Sequence, residues 1–212
     1  MTAPLPSRVV ALVCSAGGFE ALTAVLGPLP GELPAAVIVL RHTAPGHRSL
    51  LAPLLAARCR LPVHDALQGE QLVDGRVYVV PPGKHALVTS TGALALIDTD
   101  STPRYRPSAD LLLSSLASGM GSRTIAVVLS GGGSDGATGA LAVHTLGGIV
   151  IAADEASSGH FAMPRAAIDR DDAVDVVLPV DAIPATLRSL LAPPVGAVGE
   201  EPTGAWSGDL RP

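Results

Sequence analysis

The sequence predicts an α/β fold: a doubly wound, mostly parallel sheet with a small antiparallel addition and helices on both faces. The clearest observation is the stretch 124–154, where an apolar β-branched run, a glycine-rich loop, a helix-like segment and a second apolar run follow one another. That order is typical of a βαβ unit. Aromatic residues make up only 2% of the chain, so the core must come from Leu, Val, Ile and Ala, as parallel sheets prefer.

Apolar runs and helical spacing alternate along most of the chain. Short apolar, β-branched runs are interpreted as strands, and segments with apolar residues three and four apart as helices. In chain order the prediction is a strand at 8–13, a helix from Phe19 that stops at Gly27-Pro28, a strand at 35–40, a helix at 49–60, a helix at 108–117, strands at 125–129 and 149–153 around a helix that runs to Leu146, a short helix after Met163-Pro164, a strand at 174–179 and a helix at 181–191.

Residues 62–98 change character, because short apolar runs there alternate with turn signals such as Gly69, Asp74-Gly75 and Thr91-Gly92. This pattern indicates short strands and a hairpin. We expect an antiparallel addition on the main sheet.

The length of 212 residues suits one domain followed by a tail. We predict a single domain over residues 1–191. Residues 192–212 are rich in Pro and Gly without a period, which predicts a disordered tail.

The composition excludes several classes of protein. A net charge of −5 with few aromatics argues against a nucleic-acid partner, which calls for a basic patch. No apolar stretch reaches the roughly 18 residues of a membrane span, so we expect no membrane insertion. Two cysteines, Cys14 and Cys59, make no disulfide framework, and a reduced, cytoplasmic chain is the simple interpretation.

The glycine loop matches two phosphate-binding patterns, and both fail on inspection. Gly131, Gly133 and Gly136 satisfy G-x-G-x-x-G, but too few residues follow for a complete dinucleotide-binding domain. A phosphate-binding loop needs a lysine where Ala137 stands, and Lys84, the single lysine of the chain, lies far away in sequence. Nucleotide binding is therefore the weaker hypothesis for this loop.

Three side chains become a candidate catalytic group because of their shared location. Ser15, His42 and Asp135 each follow a predicted strand of one parallel sheet, so all three should face the same edge. Alone, Ser15 is better read as a helix cap, and a metal role for His42 with His47 lacks further ligands. Together they suggest a serine nucleophile, a histidine base and an orienting carboxylate, with backbone amides at Gly17-Gly18 and Gly131–Gly133 available to an oxyanion.

Six motifs in order then resemble one family, the catalytic domain of the CheB protein-glutamate methylesterases of bacterial chemotaxis. The likeness spans roughly residues 8 to 190. The motifs are SAGG, RHTAPGHRSLLAPLL, GRVYVVPPGKH, RPSADLLLSSLA, LSGGGSDGATG and DEASSGHFAMPRAAI.

The resemblance implies a role for each candidate residue. It makes Ser15 the nucleophile, His42 its general base and Asp135 the acid that orients the imidazole. It also implies an oxyanion site at the backbone of Ala16, Gly17 and Gly132, with no metal and no cofactor.

Some positions depart from the family pattern. Gly132 stands in place of a methionine, Ser134 of an asparagine, Ala16 of a threonine and Thr43 of a methionine. Because glycine leaves the backbone less constrained, we expect a more flexible loop around Asp135 and a less preorganised oxyanion site.

The expected function is hydrolysis of γ-glutamyl methyl esters on a methylated chemoreceptor-like protein, with glutamine deamidation as a further activity. Typical family members carry a receiver domain ahead of the catalytic one, and this sequence starts at the catalytic strand, so we expect regulation by a separate protein. Two alternatives stay open. One is a non-catalytic signalling or interaction module that keeps the triad without a productive oxyanion hole, and the other is an esterase for a small substrate.

Overall fold

The computed structural model describes residues 4–43, 49–98 and 105–192. Strands and helices alternate through most of this chain. In order they are β1 (Val9–Cys14), α1 (Gly18–Leu26), β2 (Ala36–Arg41), α2 (Leu51–Ala56), β3 (Val63–Asp65), β4 (Val77–Val79), β5 (Lys84–Val88), β6 (Leu94–Asp98), α3 (Ala109–Met120), a 3-10 turn (Gly121–Arg123), β7 (Thr124–Val128), α4 (Ala137–Thr145), β8 (Ile149–Ala153), α5 (Ala162–Ile168), β9 (Val176–Leu178) and α6 (Ile183–Leu191).

The main sheet of the described chain has seven strands in the order β3-β4-β2-β1-β7-β8-β9, and every neighbouring pair is parallel. Its central strand, β1, is buried at all six residues. A parallel strand covered on both faces needs apolar side chains on both, which explains the continuous apolar runs in the sequence. The predicted fold class is confirmed.

The core forms two layers, one on each face of this sheet. Successive side chains of β1 point to opposite faces: Val9, Ala11 and Val13 pack with residues of α3, α4, α5 and the β5–β6 hairpin. Val10, Leu12 and Cys14 pack on the other face with residues of α1, α2 and α6. Helices therefore cover both faces, as predicted.

The antiparallel addition exists, but not on the main sheet. Strands β5 and β6 pair with each other in a separate two-stranded sheet, and the amide of Val88 donates to Ser115 Oγ of α3 at 2.9 Å. Strands β3 and β4, by contrast, join the main sheet in parallel. The expectation of an antiparallel addition on the main sheet was wrong, because the turn signals at Gly69 and Asp74-Gly75 belong to the connection between two parallel strands.

Smaller differences concern helix ends. Helix α2 covers only part of the predicted 49–60, and Met163-Pro164 lies in the first turn of α5 rather than before it. Proline fits there because the first-turn amides have no partner within the helix. His47 and the predicted tail beyond Ala192 lie outside the described residues. In the described segments, no helix combines the length and the apolar character needed to cross a bilayer.

The strand order creates a crevice at the carboxyl edge of the sheet. From β1 the chain first builds β2, β4 and β3 on one side and later β7, β8 and β9 on the other. Open α/β sheets place their sites where the strand order reverses in this way. The loops after β1, β2 and β7 meet at that point, and these loops carry the three candidate side chains.

Candidate active site

Ser15 is the first residue after β1, in a tight turn that leads into α1. Its amide donates to the carbonyl of Ser130 at 2.9 Å, and the amide of Gly18 donates back to the carbonyl of Ser15 at 3.1 Å. The turn requires Gly17, because its φ is +70° and a Cβ there would lie 2.6 Å from Ser130 Oγ. Gly17 is also the N-cap of α1, with no side-chain cap. The alternative role of Ser15 as a helix cap is therefore excluded.

His42 follows β2 beside this turn. Cys14 and Arg41 are partners in the parallel register, and the amide of His42 donates to the carbonyl of Cys14 at 3.0 Å. Ser15 and His42 thus lie one residue beyond a register pair on neighbouring strands, which are about 4.8 Å apart. Within the described chain, the hydroxyl of Ser15 makes no hydrogen bond to the imidazole. Catalytic contacts of this kind often tighten only when substrate binds.

The imidazole of His42 contacts Asp135 directly. Its Nε2 lies 2.8 Å from Asp135 Oδ2, and the side chains of His42 and Asp135 are only 10% and 2% exposed. Because an ionised carboxylate only accepts hydrogen bonds, Nε2 carries the proton and Nδ1 is left as the basic nitrogen.

Asp135 is also held by the N-terminus of α3. The Ala109 and Asp110 amides donate to Asp135 Oδ2 and Oδ1 at 2.6 and 3.1 Å, and the hydroxyl of Ser108 donates to Oδ1 at 3.1 Å. Such a cradle of amides at a helix N-terminus stabilises a negative charge. Burial by itself raises the pKa of Asp135, but the hydrogen bonds from His42 and from the Ala109 and Asp110 amides outweigh it and leave that pKa below its usual value. The carboxylate stays ionised.

A second carboxylate, that of Asp110, binds the N-terminus of the neighbouring helix in the same way. Asp110, in the first turn of α3, accepts hydrogen bonds from the Gly136 and Gly139 amides at the start of α4, at 2.9 and 2.7 Å. Asp135, just before α4, caps α3 in return. Burial raises the pKa of Asp110, and the nearby charge of Asp135 raises it further, against the lowering effect of the two amides.

The residue before the candidate nucleophile is chemically silent. Cys14 is fully buried, and burial raises the pKa of its thiol to about 12, despite the opposing charge of Arg41. A thiol in this state supplies almost no thiolate near neutral pH. Cys14 therefore does not compete with Ser15 as a nucleophile.

Some of the candidate oxyanion amides already donate a hydrogen bond within the protein, and others do not. The Gly18 amide donates to Ser15 and the Gly131 amide to His160 at 2.8 Å, so these two donors are not available. Within the part of the chain that the structure describes, the amides of Ala16, Gly17 and Gly132 have no hydrogen-bond acceptor. A Cβ on Gly132 would meet nothing within 4 Å, so its backbone borders open space.

A buried serine ties the site loops together. Ser130 is fully buried; its hydroxyl donates to the carbonyl of Ala16 at 2.8 Å and accepts from the His160 amide at 2.9 Å. Three loops, after β1, β7 and β8, therefore share one hydrogen-bonded unit.

Two clefts flank the candidate residues. One, of about 460 Å³, contains His42 between Arg41, Ser49 and leucines of α2. The other, of about 700 Å³, has Gly17 at one side, and its lining includes three acidic side chains, Glu20, Asp154 and Asp181. The smaller cleft borders the imidazole and is the better position for an ester. Over residues 4–43, 49–98 and 105–192, no cluster of three or more side chains suits a metal ion.

Sequence reasoning missed the residues that surround His42 and Asp135. The predicted helix begins at Ser108, and the Ser108 side chain does cap it by accepting from the Leu111 amide, but its contact with Asp135 was not foreseen. Asp110 was not singled out, nor was Tyr105, whose ring stacks on the imidazole of His42. The only available signal was the RPSAD motif, which contains Ser108 and Asp110.

Comparison with known proteins gives a consistent result. The family model described as CheB methylesterase matches residues 10–187. A protein-glutamate methylesterase/protein-glutamine glutaminase of Anaeromyxobacter dehalogenans is 44% identical over 183 residues, covering 86% of this chain and 53% of that protein. The Salmonella typhimurium protein of the same name is 38% identical over 173 residues, covering 80% of this chain and 49% of that protein.

A solved structure extends the likeness to three dimensions. The crystal structure of the Thermotoga maritima CheB methylesterase catalytic domain matches with a TM-score of 0.81 and 35% identity, over 86% of this chain and 98% of that one. The chain spans about half the length of the two enzymes compared above, and nearly the whole of this catalytic domain.

Proposed function

This chain belongs to the CheB methylesterase family, and we propose that it is a serine esterase that hydrolyses γ-glutamyl methyl esters on a chemoreceptor-like protein. The products are glutamate and methanol. The observation that carries the proposal is the buried contact of His42 with Asp135, one strand away from the partly exposed turn of Ser15. The names of the two relatives, protein-glutamate methylesterase/protein-glutamine glutaminase, support methyl esters of protein glutamate as the substrate class.

In the proposed first half-reaction, Ser15 Oγ attacks the ester carbonyl carbon while its proton moves to His42 Nδ1. Asp135 holds the other ring nitrogen and stabilises the imidazolium. The amides of Ala16, Gly17 and Gly132 donate to the oxyanion of the tetrahedral intermediate. Collapse of that intermediate breaks the bond to the methoxy oxygen, which takes the proton from His42 and leaves as methanol.

The second half-reaction uses water in place of the serine. His42 removes a proton from the water as it attacks the acyl-enzyme carbonyl, and then returns that proton to Ser15 Oγ as glutamate is released. The same acyl-enzyme forms from a glutamine side chain when ammonia leaves instead of methanol. The relatives' names include protein-glutamine glutaminase, which supports deamidation as a second reaction of this site.

We place this reaction in the cytoplasm. Both cysteines, Cys14 and Cys59, are free, which suits a reducing compartment.

The test is release of volatile methanol from receptors that carry labelled methyl esters. The wild-type protein should release label, and Ser15→Ala should reduce release to background because it removes the attacking oxygen. Ser189→Ala, on the exposed face of α6, is the matched control and should behave as wild type. Wild-type turnover by Ser15→Ala would contradict the serine mechanism.

A fluorophosphonate probe separates this proposal from a non-catalytic module. Such probes label an activated serine, so we expect labelling of wild type and of Ser189→Ala but not of Ser15→Ala. Absence of labelling in the wild type would favour an interaction module.

A further inference from the structure

Tyr105 lies beside two parts of the candidate site, the imidazole of His42 and the glycine loop before Asp135. Its ring stacks on the imidazole of His42 with 5.4 Å between ring centroids and 24° between planes, within the range of favourable aromatic pairs. Its hydroxyl accepts a hydrogen bond from the amide of Ser134 at 3.3 Å. One side chain thus touches the proposed base and the loop that precedes Asp135.

The glycine loop is shaped for this contact. A Cβ on Gly133 would collide with the hydroxyl and ring of Tyr105, and the φ of Gly133 is +87°. Only glycine combines that conformation with such a close approach. Gly133 therefore brings the loop backbone against the tyrosine.

The backbone on either side of Tyr105 is anchored to the same site. The carbonyl of Arg106 accepts from the amide of Thr43 at 2.9 Å, next to His42 in the chain. Ser108 donates to Asp135 and its amide donates to His85 Nδ1 at 3.0 Å. The segment that carries Tyr105 is therefore held against the residues beside His42 and against Asp135.

We propose that Tyr105 is a positioning residue, which holds the face of the His42 imidazole and anchors the glycine loop at Ser134; this inference rests on the proposed function. Asp135 fixes the Nε2 edge of the imidazole, Tyr105 fixes one face, and the Nδ1 edge is left for Ser15. An aromatic face also stabilises the imidazolium that forms during the reaction. The Tyr105 hydroxyl thereby anchors the loop in which Gly132 replaces the family's methionine.

Two substitutions separate the ring from the hydroxyl. Tyr105→Phe keeps the stack and loses the acceptor for Ser134, whereas Tyr105→Leu loses both. Tyr78→Phe is the matched control: Tyr78 is the other tyrosine of the chain, is buried, and accepts from the Val73 amide while donating to the Gln71 carbonyl, in the connection from β3 to β4.

The readouts are kcat and KM for release of methanol, together with the rate of fluorophosphonate labelling. Misplacement of a catalytic group by about 1 Å costs on the order of 100-fold in rate. Tyr105→Leu should therefore lower kcat about 10- to 100-fold with KM within about threefold, and Tyr105→Phe should recover most of that loss. Tyr78→Phe should lower the melting temperature and leave kcat within about twofold.

A spectroscopic signature tests the stack itself. In the NMR spectrum, the ring protons of His42, assigned by their loss in His42→Gln, should be shifted upfield by the tyrosine ring. The shift should persist in Tyr105→Phe and Tyr78→Phe and disappear in Tyr105→Leu. Wild-type kcat in Tyr105→Leu, or a loss confined to KM, would overturn the positioning role. Equal losses in Phe and Leu would overturn the part of that role assigned to the ring on His42. A wild-type protein without methanol release or labelling would instead overturn the proposed function, and this inference with it.

Discussion

Three histidine–carboxylate pairs in the described chain have almost the same contact distance and very different surroundings. His42–Asp135, His64–Glu70 and His144–Asp175 are separated by 2.8, 2.7 and 3.1 Å. Their side chains are exposed by 10% and 2%, 35% and 19%, and 42% and 35%. The histidine of each of the first two pairs also contacts a tyrosine: Tyr105 stacks on His42, and Tyr78 meets His64 edge-on at 5.0 Å.

The difference lies in what else each carboxylate binds and where the pair stands. Asp135 accepts from Ser108, Ala109 and Asp110 besides His42. Glu70 and Asp175 each accept one further backbone amide, from Leu67 and Val150. His64 lies within the edge strand β3, whereas His42 follows a strand beside the central one, next to a serine. Contact distance alone therefore does not distinguish the proposed catalytic pair from the other two, whereas burial, the number of donors and position in the sheet do.

The largest expected effect separates the three pairs by activity. Asp135→Asn should lower kcat by about 10³- to 10⁴-fold, because the imidazole loses its orienting carboxylate and its correct tautomer. Glu70→Gln and Asp175→Asn remove the same kind of contact elsewhere and should leave kcat within about twofold. Methanol release from methyl-labelled receptors measures all three.

A fall of less than about tenfold in Asp135→Asn would make Asp135 a structural turn residue. Circular dichroism of the variant should match wild type, since a misfolded protein would also be inactive. A comparable fall in Glu70→Gln would break the distinction between the buried pair and the exposed ones.

The next effect concerns stability around the buried pair. Asp110→Ala removes the acceptor of the Gly136 and Gly139 amides and should lower the free energy of unfolding by about 1–2 kcal/mol, the usual cost of a lost N-cap. Asp110→Asn keeps an acceptor oxygen and should lose much less. Urea unfolding of the two variants measures the difference, and equal losses would show that the amide contacts at α4 contribute nothing.

The pH dependence of stability should have opposite signs at the two carboxylates. The folded-state pKa of Asp135 is lowered, so its contribution is present above the unfolded pKa of about 3.9 and disappears as pH falls through the folded pKa. The folded-state pKa of Asp110 is raised, so its contribution is present at low pH and disappears as pH rises through that pKa.

Unfolding free energies between pH 3 and pH 7, a range set around the carboxylate pKa of about 4, test these signs. Asp135→Asn should lose less stability than wild type on acidification below about pH 4. Asp110→Asn should gain stability relative to wild type as pH rises toward 7. A wild-type slope in both variants would contradict the exchange of carboxylates between the helices.

The smallest effect concerns the open side of the site. Gly132→Met restores the residue that the family pattern has there. Because a Cβ at Gly132 meets nothing within 4 Å, stability should change by less than about 0.5 kcal/mol and kcat should stay equal or rise a few-fold. A large loss of stability would mean that the loop is packed more tightly than its contacts indicate.

Individual strands, helices and their order could be predicted from the sequence, but the contacts between these elements could not. Ser15, His42 and Asp135 could be predicted to share one edge because parallel strands carry their following loops to the same side. The orientation of β4 could not, since a short strand after a turn-rich connection fits either direction. The cradle around Asp135 comes from Ser108, Ala109 and Asp110, about 25 residues away in sequence, and arises only when α3 docks beside α4.

The flexible loop expected from Gly132 stays a prediction, and it was made without knowledge of the loop's contacts. Glycine freedom is a property of the isolated backbone, whereas the hydroxyl of Tyr105 and the amide of Ser134 meet only in the folded chain. Nothing in the motif LSGGGSDGATG reveals that partner.

Asp135 binds amides of α3, and Asp110 of α3 binds amides at the start of α4. The proposed reaction therefore requires that these two helices have packed together. Until both helices pack side by side, the Ala109 and Asp110 amides do not hold the carboxylate of Asp135 in place. The imidazole of His42 then has no fixed carboxylate to orient it. A nascent chain on the ribosome would therefore contain Ser15 before His42 and Asp135 are in position to activate it. Ester cleavage should return during refolding only in step with the docking of these two helices.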